Sequence, residues 1–240
     1  MARKPRIAVI LDENTSVDGT RYDMTKGYFV GVARAGGLPF GIPYVADLIE
    51  PVVEEFDGFL SVGGRIAFPA EWYVDGAVSK APRSERLAIE IGLMRGFLDR
   101  DKPVLGICNG MQMLACLNGC RMSPDIRSLR PGLLDHDRRG FAHSVAVREG
   151  SALARILEAR EISVNTFHRE AVVEVSDRVL ASAFAEDGIV EAIEVPSRRF
   201  AIGIQWHQEA FAAQNHPGNR LFSAFVEAAR PVAGGQASSF

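Results

Sequence analysis

Residues 103–112 read PVLGICNGMQ, an apolar run that meets a cysteine between two glycines and then continues as an apolar helical pattern. The pattern Gly106-x-Cys108-x-Gly110 is typical of a sharp turn from a strand into a helix, because glycine lets the two elements approach closely. It predicts a strand over Lys102–Ile107 and a helix over Asn109–Leu117. A strand followed directly by a helix is the repeating unit of an α/β fold.

The same unit recurs through the first half of the chain, where short apolar runs alternate with longer amphipathic segments. Besides the segment above, the predicted strands are Arg6–Leu11, Phe40–Val45 and Gly58–Val62, and the predicted helices are Asp23–Ala35, Asp47–Phe56 and Arg83–Leu98. Continuous apolar strands separated by helices are typical of a parallel sheet covered on both faces. We therefore expect an α/β architecture with a mostly parallel central sheet.

The second half of the chain has shorter and more closely spaced apolar runs, which indicate added antiparallel strands. These runs are Phe141–Val147, Ile162–Asn165, Ala171–Val175, Val179–Ala185, Ile189–Val195 and Phe200–Trp206. Glu186-Asp187-Gly188 separates two of them and predicts a hairpin turn, and a helix over Leu221–Ala229 is expected to close the fold. Because no repeat or linker is seen, residues 1–240 are interpreted as one domain. Its tail over 231–240, rich in Gly, Ala and Ser, is expected to fray.

The composition excludes several classes of protein. The chain has 240 residues, 47% of them apolar and 24% charged, and its net charge of −3 comes without the basic stripe of a nucleic-acid binder. The apolar run Ile7–Leu11 is too short for a signal peptide, and no run approaches the roughly 20 residues of a membrane span. Three cysteines argue against a disulfide framework and for a reducing compartment, so we expect a cytoplasmic protein. Cys116 and Cys120 are interpreted as small core residues rather than metal ligands.

The cysteine at the turn is a candidate nucleophile. A helix that begins at Asn109 directs its first N–H groups and its positive dipole end at Cys108, which favours the thiolate. The N–H of Asn109, the residue after the nucleophile, is placed to donate to an oxyanion. The competing interpretation is a buried core cysteine at an ordinary strand-to-helix turn.

A proton carrier for such a nucleophile is found near the end of another apolar run. Phe200–Trp206 is followed by His207, and Glu209 lies two residues further on, so strand alternation places both side chains on one face. A carboxylate beside an imidazole holds one tautomer and stabilises the charged form. Cys108, His207 and Glu209 therefore form a candidate catalytic triad.

Together these segments resemble a known superfamily. Leu105-Gly-Ile-Cys-Asn-Gly-Met-Gln112 is similar to the nucleophile motif of class I glutamine amidotransferase domains, and Gly203-Ile-Gln-Trp-His-Gln-Glu209 is similar to their His/Glu motif. Two further segments, Leu60-Ser-Val-Gly-Gly64 and Val164-Asn-Thr-Phe-His-Arg-Glu-Ala-Val172, resemble the γ-glutamyl-γ-aminobutyrate hydrolase-like branch, peptidase C26. The motifs stand in the same order as in that family, and the likeness runs from Lys4 to Ala229.

The resemblance implies a flavodoxin-like three-layer sandwich with Cys108, His207 and Glu209 as its triad. It implies a cysteine hydrolase that cleaves a small-molecule γ-glutamyl amide through a glutamyl thioester. No metal and no organic cofactor is expected, because this chemistry needs none. A homodimer is compatible with the sequence.

The resemblance also assigns residues around the nucleophile. Backbone N–H groups of Gly64 and Asn109 are implied to form the oxyanion hole, with Gly63 in the same turn contributing to the substrate site. Gln112 is implied to help shape the glutamyl site, and His168 is implied to lie near the pocket.

Four positions depart from the family pattern. Relatives usually have Arg at Asn109, Asp at Arg65, Pro at Gln208, and an Arg-Asp pair where this chain has Arg86-Leu87. The change at Arg65 reverses a charge beside the oxyanion turn. Arg65 is interpreted either as a surface residue or as a contact for a carboxylate on the amine portion of the substrate. The departures leave the leaving amine open.

Three hypotheses for function follow. The first is γ-glutamyl hydrolysis by the chain alone. The second is a glutaminase subunit that passes ammonia to a separate synthase partner, since no synthase is fused to the chain. The third is a regulator whose pocket binds a metabolite without catalysis, which the charge reversal at Arg65 would favour and the retained triad disfavours.

Overall fold

A nine-stranded mixed sheet forms the centre of the computed structural model, which describes residues 3–13, 20–138, 140 and 142–231. The strands are β1 Arg6–Ile10, β2 Leu38–Ile42, β3 Gly58–Ser61, β4 Val104–Ile107, β5 Arg121–Ser123, β6 Ala142–Val147, β7 Glu161–Asn165, β8 Ala171–Glu174, β9 Leu180–Ala185, β10 Val190–Glu194 and β11 Ala201–Ile204. The strand order of the main sheet is β2-β1-β3-β4-β11-β10-β9-β6-β7, and β5 pairs with β8 in a separate ribbon.

Helices cover both faces of this sheet. They are α1 Gly27–Arg34, α2 Ile49–Glu55, α3 Arg86–Asp99, α4 Asn109–Leu117, α5 Ala152–Leu157 and α6 Arg220–Ala228. Helix α1 packs against α6, and α2 packs against α3. The predicted flavodoxin-like three-layer α/β sandwich is confirmed.

The parallel part of the sheet explains the continuous apolar runs of the sequence. Strands β2, β1, β3, β4 and β11 are parallel to one another, and every residue of β3, β4 and β11 is buried. A strand with helices on both faces has no side that water reaches, so it carries no polar alternation. Strands β6 and β7, at the far edge, do alternate between buried and exposed residues.

The antiparallel part begins at β10, as the spacing of the later runs predicts. Strands β9 and β10 form an antiparallel hairpin whose turn ends in Gly188 with φ 84°, a conformation that favours glycine. The predicted tail over 231–240 lies outside the described residues from 232 onward.

One predicted helix start was wrong, and two short elements were not predicted. Helix α1 begins at Gly27 instead of Asp23, because the N–H of Asp23 donates to the carbonyl of Asp12 at 2.9 Å and holds this segment against the loop after β1. The short elements β5 and α5 were missed. β5 has three residues and depends on pairing with β8, and α5 has six residues and begins at a Ser151 side chain that accepts the N–H of Ala154.

The cysteines outside the turn are core residues. Cys116 and Cys120 are free thiols, 6% and 2% exposed. Burial raises the pKa of both thiols, which keeps them protonated and unreactive near neutral pH. In the described ranges, no helix combines the length and the apolar character needed to cross a membrane.

The turn between β4 and α4 leaves no space for a side chain at its first glycine, so Gly106→Ala is expected to destabilise the fold. A Cβ on Gly106 would lie 2.5 Å from the carbonyl oxygen of Gly110 and 2.7 Å from the nitrogen of Met111. Because these are backbone atoms inside the core, we expect a loss of about 3 kcal/mol in the free energy of unfolding, measured by urea denaturation.

The matched control is Gly150→Ala. Its Cβ would meet no described residue within 4 Å, so the only cost comes from a φ of +79°, about 1 kcal/mol. Equal losses for the two variants would contradict the steric requirement at Gly106.

Candidate active site

Cys108 occupies the turn in a strained backbone conformation. Its φ of 53° and ψ of −106° are rare for a residue with a side chain. Two hydrogen bonds hold it there: its N–H donates to the Ile204 carbonyl at 2.7 Å, and its carbonyl accepts the N–H of Gln112 at 3.1 Å. Strain of this kind persists only where the surrounding structure enforces it, and it is frequent at functional sites. The side chain is 6% exposed, at the N-terminus of α4.

His207 and Glu209 are brought together just beyond the end of β11. The Nδ1 atom of His207 lies 2.7 Å from Oε1 of Glu209, and their side chains are 20% and 5% exposed. Their proximity was expected from strand alternation, but it has another cause. Strand β11 ends at Ile204, and a 3-10 helix over Gln208–Phe211 turns Glu209 back toward the imidazole.

The backbone of His207 is clamped by one side chain. Asn165, at the end of β7, accepts the His207 N–H at 2.8 Å and donates to the His207 carbonyl at 3.0 Å. This pair of bonds fixes the position from which the imidazole projects, although β7 and β11 are not neighbours in the sheet.

The environment of His207 favours its charged form. Burial acts to lower the pKa of His207, but the Cys108 sulfur and the Glu209 carboxylate more than offset it, so the pKa lies well above the ordinary value of 6.5. The sulfur acts on the imidazole through electrostatic attraction, and Nε2 of His207 has no hydrogen-bond partner in the described ranges. The electrostatics therefore favour an imidazolium at His207, beside the Cys108 sulfur.

The N–H groups of the predicted oxyanion residues Gly64 and Asn109 differ from that of Gly63, which was predicted to belong to the substrate site. The N–H of Gly63 donates to the Tyr28 hydroxyl at 3.0 Å and is not available to a substrate. The N–H groups of Gly64 and Asn109 donate to no acceptor within the part of the chain that the structure describes. Gly63 instead allows the turn to pack closely against His207, because a Cβ there would lie 3.0 Å from the His207 ring.

Tyr28 could not be picked out from the sequence, because an aromatic residue in an apolar helix carries no sign of a polar role. Its ring is 4% exposed on α1, and the hydroxyl reaches the Gly63 turn. Burial raises the pKa of Tyr28 well above 10, and the neighbouring Glu209 and Cys108 raise it further. The hydroxyl therefore stays neutral and can accept the Gly63 N–H while it keeps a proton to donate.

A buried arginine holds the same turn from the other side. Arg86, on α3, donates to the carbonyls of Val62 and Gly63 at 2.6 and 2.9 Å. It also makes two hydrogen bonds to Glu90, at 2.8 and 3.0 Å, and one to Asp12 at 2.7 Å. Burial acts to lower the pKa of the guanidinium, but Glu90 and Asp12 more than offset it, so the charge is retained.

The spacing of Arg86 and Glu90 in the sequence indicates that they form an ion pair, but it does not indicate that the pair is buried. The two residues stand i,i+4 on a predicted helix, which usually indicates an exposed ion pair. Here both side chains are 0% exposed. Ser61, at the end of β3, donates to Glu90 at 2.7 Å and completes the set of partners.

Gln112 and His168 are both buried and converge on Glu170. The Gln112 amide donates to the Glu170 carbonyl at 2.9 Å and to Gln205 at 3.1 Å. The Nδ1 atom of His168 lies 3.1 Å from the same carbonyl. Gln112 therefore anchors the segment after β7, and the other ring nitrogen of His168 faces Glu191 at 3.4 Å, away from Glu170.

Arg65 is exposed, as one of its two interpretations predicts, and it has an acidic neighbour. Burial raises the pKa of Glu170, while Ser79, Tyr73 and Arg65 act against that rise. The Glu170 carboxylate accepts hydrogen bonds from Tyr73 and Ser79. The loop between β3 and α3 is thus fixed to the segment after β7, with Arg65 near this contact.

Comparison with known proteins identifies relatives along most of the chain. The family model of peptidase C26 matches residues 6–209. A glutamine amidotransferase-like protein of Rickettsia prowazekii is 28% identical over 97% of this chain and 100% of its own length. The γ-glutamyl-γ-aminobutyrate hydrolase of Escherichia coli O157:H7 is 27% identical over 93% of both chains.

A solved structure supports the fold. A crystal structure of a protein described as a GMP synthase subunit, from Thermoplasma acidophilum, superposes with a TM-score of 0.66 and 17% identity. The match covers 95% of this chain and 96% of that one.

Removal of Arg86 is expected to leave an uncompensated charge in the core. We expect Arg86→Met to lower the free energy of unfolding by about 3–5 kcal/mol, because Glu90 then stays buried without its partner. The double variant Arg86→Met/Glu90→Met should recover most of this loss, since apolar residues of similar size replace both charges. Urea denaturation of the three proteins measures both effects. A double variant no more stable than Arg86→Met would contradict the proposed coupling.

Proposed function

The chain belongs to the peptidase C26 family, and from that premise we propose that it hydrolyses γ-glutamyl amides with Cys108 as the nucleophile. It is a hydrolase of glutamine amidotransferase-like architecture. The observation that carries the finer proposal is the strained Cys108 turn, whose sulfur helps to raise the pKa of His207, which is in turn hydrogen-bonded to Glu209.

The proposed reaction has two halves. The Cys108 thiolate attacks the γ-carbonyl carbon, and the N–H groups of Gly64 and Asn109 stabilise the oxyanion. The C–N bond breaks as His207 gives its proton to the departing amine, which leaves a glutamyl thioester on Cys108. His207 then takes a proton from water, which attacks the thioester and releases glutamate. Glu209 orients His207 and stabilises its charge throughout.

Support for a γ-glutamyl substrate comes from the family and from the geometry of the turn. A relative that this chain matches over 93% of its length is named γ-glutamyl-γ-aminobutyrate hydrolase. Two backbone N–H groups, at Gly64 and Asn109, have no acceptor in the described part of the chain, which supports their proposed role as donors to an oxyanion. We propose that Gln112 acts on this site indirectly, because its amide is already committed to Glu170 and Gln205.

The amine side of the substrate is a separate proposal. Arg65 is exposed at the edge of the oxyanion turn, where it can meet a carboxylate on the amine portion. Glu170 lies near Arg65, but it is partly buried and already accepts hydrogen bonds from Tyr73 and Ser79. It therefore competes only in part with a substrate carboxylate for the Arg65 guanidinium. An amine that itself carries a carboxylate fits this charge arrangement better than a cationic polyamine does.

Removal of the nucleophilic sulfur is expected to abolish hydrolysis. We expect Cys108→Ala to lower kcat/KM by more than about 10⁴-fold for γ-glutamyl amides, because both halves of the reaction need the sulfur. Release of glutamate from a panel of γ-glutamyl amines and glutamine measures this, and intact-mass analysis after acid quenching detects the thioester. Cys116→Ala, at a buried thiol outside the site, is the control and should keep its activity.

Failure to release glutamate from every substrate, or undiminished release by Cys108→Ala, would contradict the proposal. The glutaminase alternative has its own signature, which is weak glutamine turnover that rises when a synthase partner is added. The regulator alternative predicts that iodoacetamide does not label Cys108 faster than Cys116 and Cys120.

Arg65 is expected to select acidic leaving amines. We expect Arg65→Ala to raise KM by about 3- to 10-fold for substrates with a carboxylate on the amine portion and to leave KM for neutral amines unchanged, because one charge-assisted hydrogen bond is lost. Lys80→Ala, at an exposed cation in the same loop, controls for general electrostatics. Unchanged KM for both substrate classes would show that Arg65 is only a surface residue.

A further inference from the structure

A second cluster of titratable side chains is buried in the antiparallel half and takes no part in the proposed reaction. Glu191 lies on β10, His143 on β6, His136 in the loop before β6, and His168 between β7 and β8. All four are nearly inaccessible, with Glu191 and His136 0% exposed and His143 and His168 6% and 5% exposed. The sequence assigns His136 and His143 no role, because the four residues are far apart along the chain.

The three imidazoles converge on one oxygen atom of the carboxylate. Oε1 of Glu191 lies 3.4 Å from Nδ1 of His136, 3.6 Å from Nε2 of His143 and 3.4 Å from Nε2 of His168. Ligands about 2.0–2.1 Å from a tetrahedral zinc ion stand about 3.4 Å from one another. Each of the three distances matches one edge of a zinc coordination tetrahedron. Among the described residues, only His136, His143 and Glu191 have ligand atoms that all lie within 4.8 Å of one another.

The opposite ring nitrogens are held by acceptors, which fixes the tautomers. Nε2 of His136 donates to Asp187 at 2.9 Å, and Nδ1 of His143 donates to the Ser144 carbonyl at 3.1 Å. Nδ1 of His168 donates to the Glu170 carbonyl at 3.1 Å. In a neutral imidazole the remaining nitrogen then carries a lone pair. All three lone pairs are those that lie 3.4–3.6 Å from Glu191.

This arrangement sets acceptors against acceptors in a buried space. In the described ranges, the two carboxylate oxygens of Glu191 have no hydrogen-bond partner, and Nε2 of His168 has none either. Thr166 lies 3.4 Å from Nδ1 of His136, but its hydroxyl has a shorter bond, 3.0 Å, to the His136 carbonyl. A buried carboxylate without donors is strongly unfavourable unless a cation meets it. The donor atoms of His136, His143 and Glu191 all lie within 4.8 Å of one another, close enough to share one.

We propose that His136, His143 and Glu191 bind a structural Zn²⁺ ion, and that His168, which lies 3.4 Å from Glu191, shifts to become the fourth ligand. Three neutral imidazoles and one carboxylate suit zinc, and four protein ligands leave no open position for catalysis. Each histidine also has the outer hydrogen-bond partner that is usual for zinc ligands, including a carboxylate–histidine pair at Asp187. The ion would fasten the segment after β7 to β6 and β10. That segment follows directly after Asn165, the last residue of β7, whose side chain is hydrogen-bonded to the His207 backbone.

The direct test is the metal content of the untagged protein. After expression with zinc in the medium and gel filtration, mass spectrometry of the metals should find about one zinc per chain. Protein stripped with a chelator and reloaded with Co²⁺ should show the visible absorption of tetrahedral cobalt. A folded wild-type protein, by circular dichroism, that retains no zinc and gives no such spectrum would overturn the proposal, and the cluster would then be held by protons shared between histidine and Glu191.

Two variants and a control locate the ion. Glu191→Gln, which keeps the shape but removes the charge, should weaken zinc binding by about 100-fold or more, and Asp187→Asn, outside the ligand set, by about 10- to 100-fold. His216→Asn removes a histidine that bonds to Gly218 and Ser163 instead, and it should bind zinc like the wild type. Zinc binding unaffected by Glu191→Gln would place the metal elsewhere and refute the assignment.

Discussion

A backbone contact between α4 and β3 sets the geometry of the whole site. A Cβ on Gly110 would collide with the carbonyl oxygen and the hydroxyl of Ser61, so the first turn of α4 rests directly on the end of β3. The same Ser61 donates to Glu90, which binds Arg86, and Arg86 holds the Val62 and Gly63 carbonyls. Through these contacts the Cys108 turn and the Gly63–Gly64 turn are joined into one unit.

Within this unit, the carbonyl and N–H groups of the Gly63–Gly64 turn have different partners. Arg86 takes the two carbonyls, and Tyr28 takes the Gly63 N–H, so the peptide groups around Gly63 are held from both faces of the sheet. The N–H of Gly64 is the next donor along the chain. A buried ion pair contributes little net stability compared with apolar residues of the same size, because desolvation offsets the attraction. The main effect of Arg86 and Glu90 is therefore on position.

The sequence predicted those features that depend on local periodicity. Burial on both faces explains the continuous apolar runs of β1, β3 and β4, and two glycines were enough to place Cys108 at a turn. Features that depend on distant partners were missed. The polar role of Tyr28 exists only because α1 packs near the Gly63 turn, and the burial of Arg86 and Glu90 reverses the usual meaning of an i,i+4 pair. The cluster around Glu191 is assembled from residues that no spacing rule connects.

The two buried polar clusters act on opposite ends of the proposed triad. Arg86 and Glu90 hold the turn that faces Cys108, while the segment pinned near Glu191 carries Asn165, the clamp on the His207 backbone. Both clusters bury ionisable groups, although apolar residues of similar size would fill the same space at a lower cost in free energy. Because a thiolate and an imidazolium react only when their separation and orientation are held closely, these clusters are best explained as supports for that geometry. The nucleophile and the base come from different strands, and each therefore needs an anchor of its own.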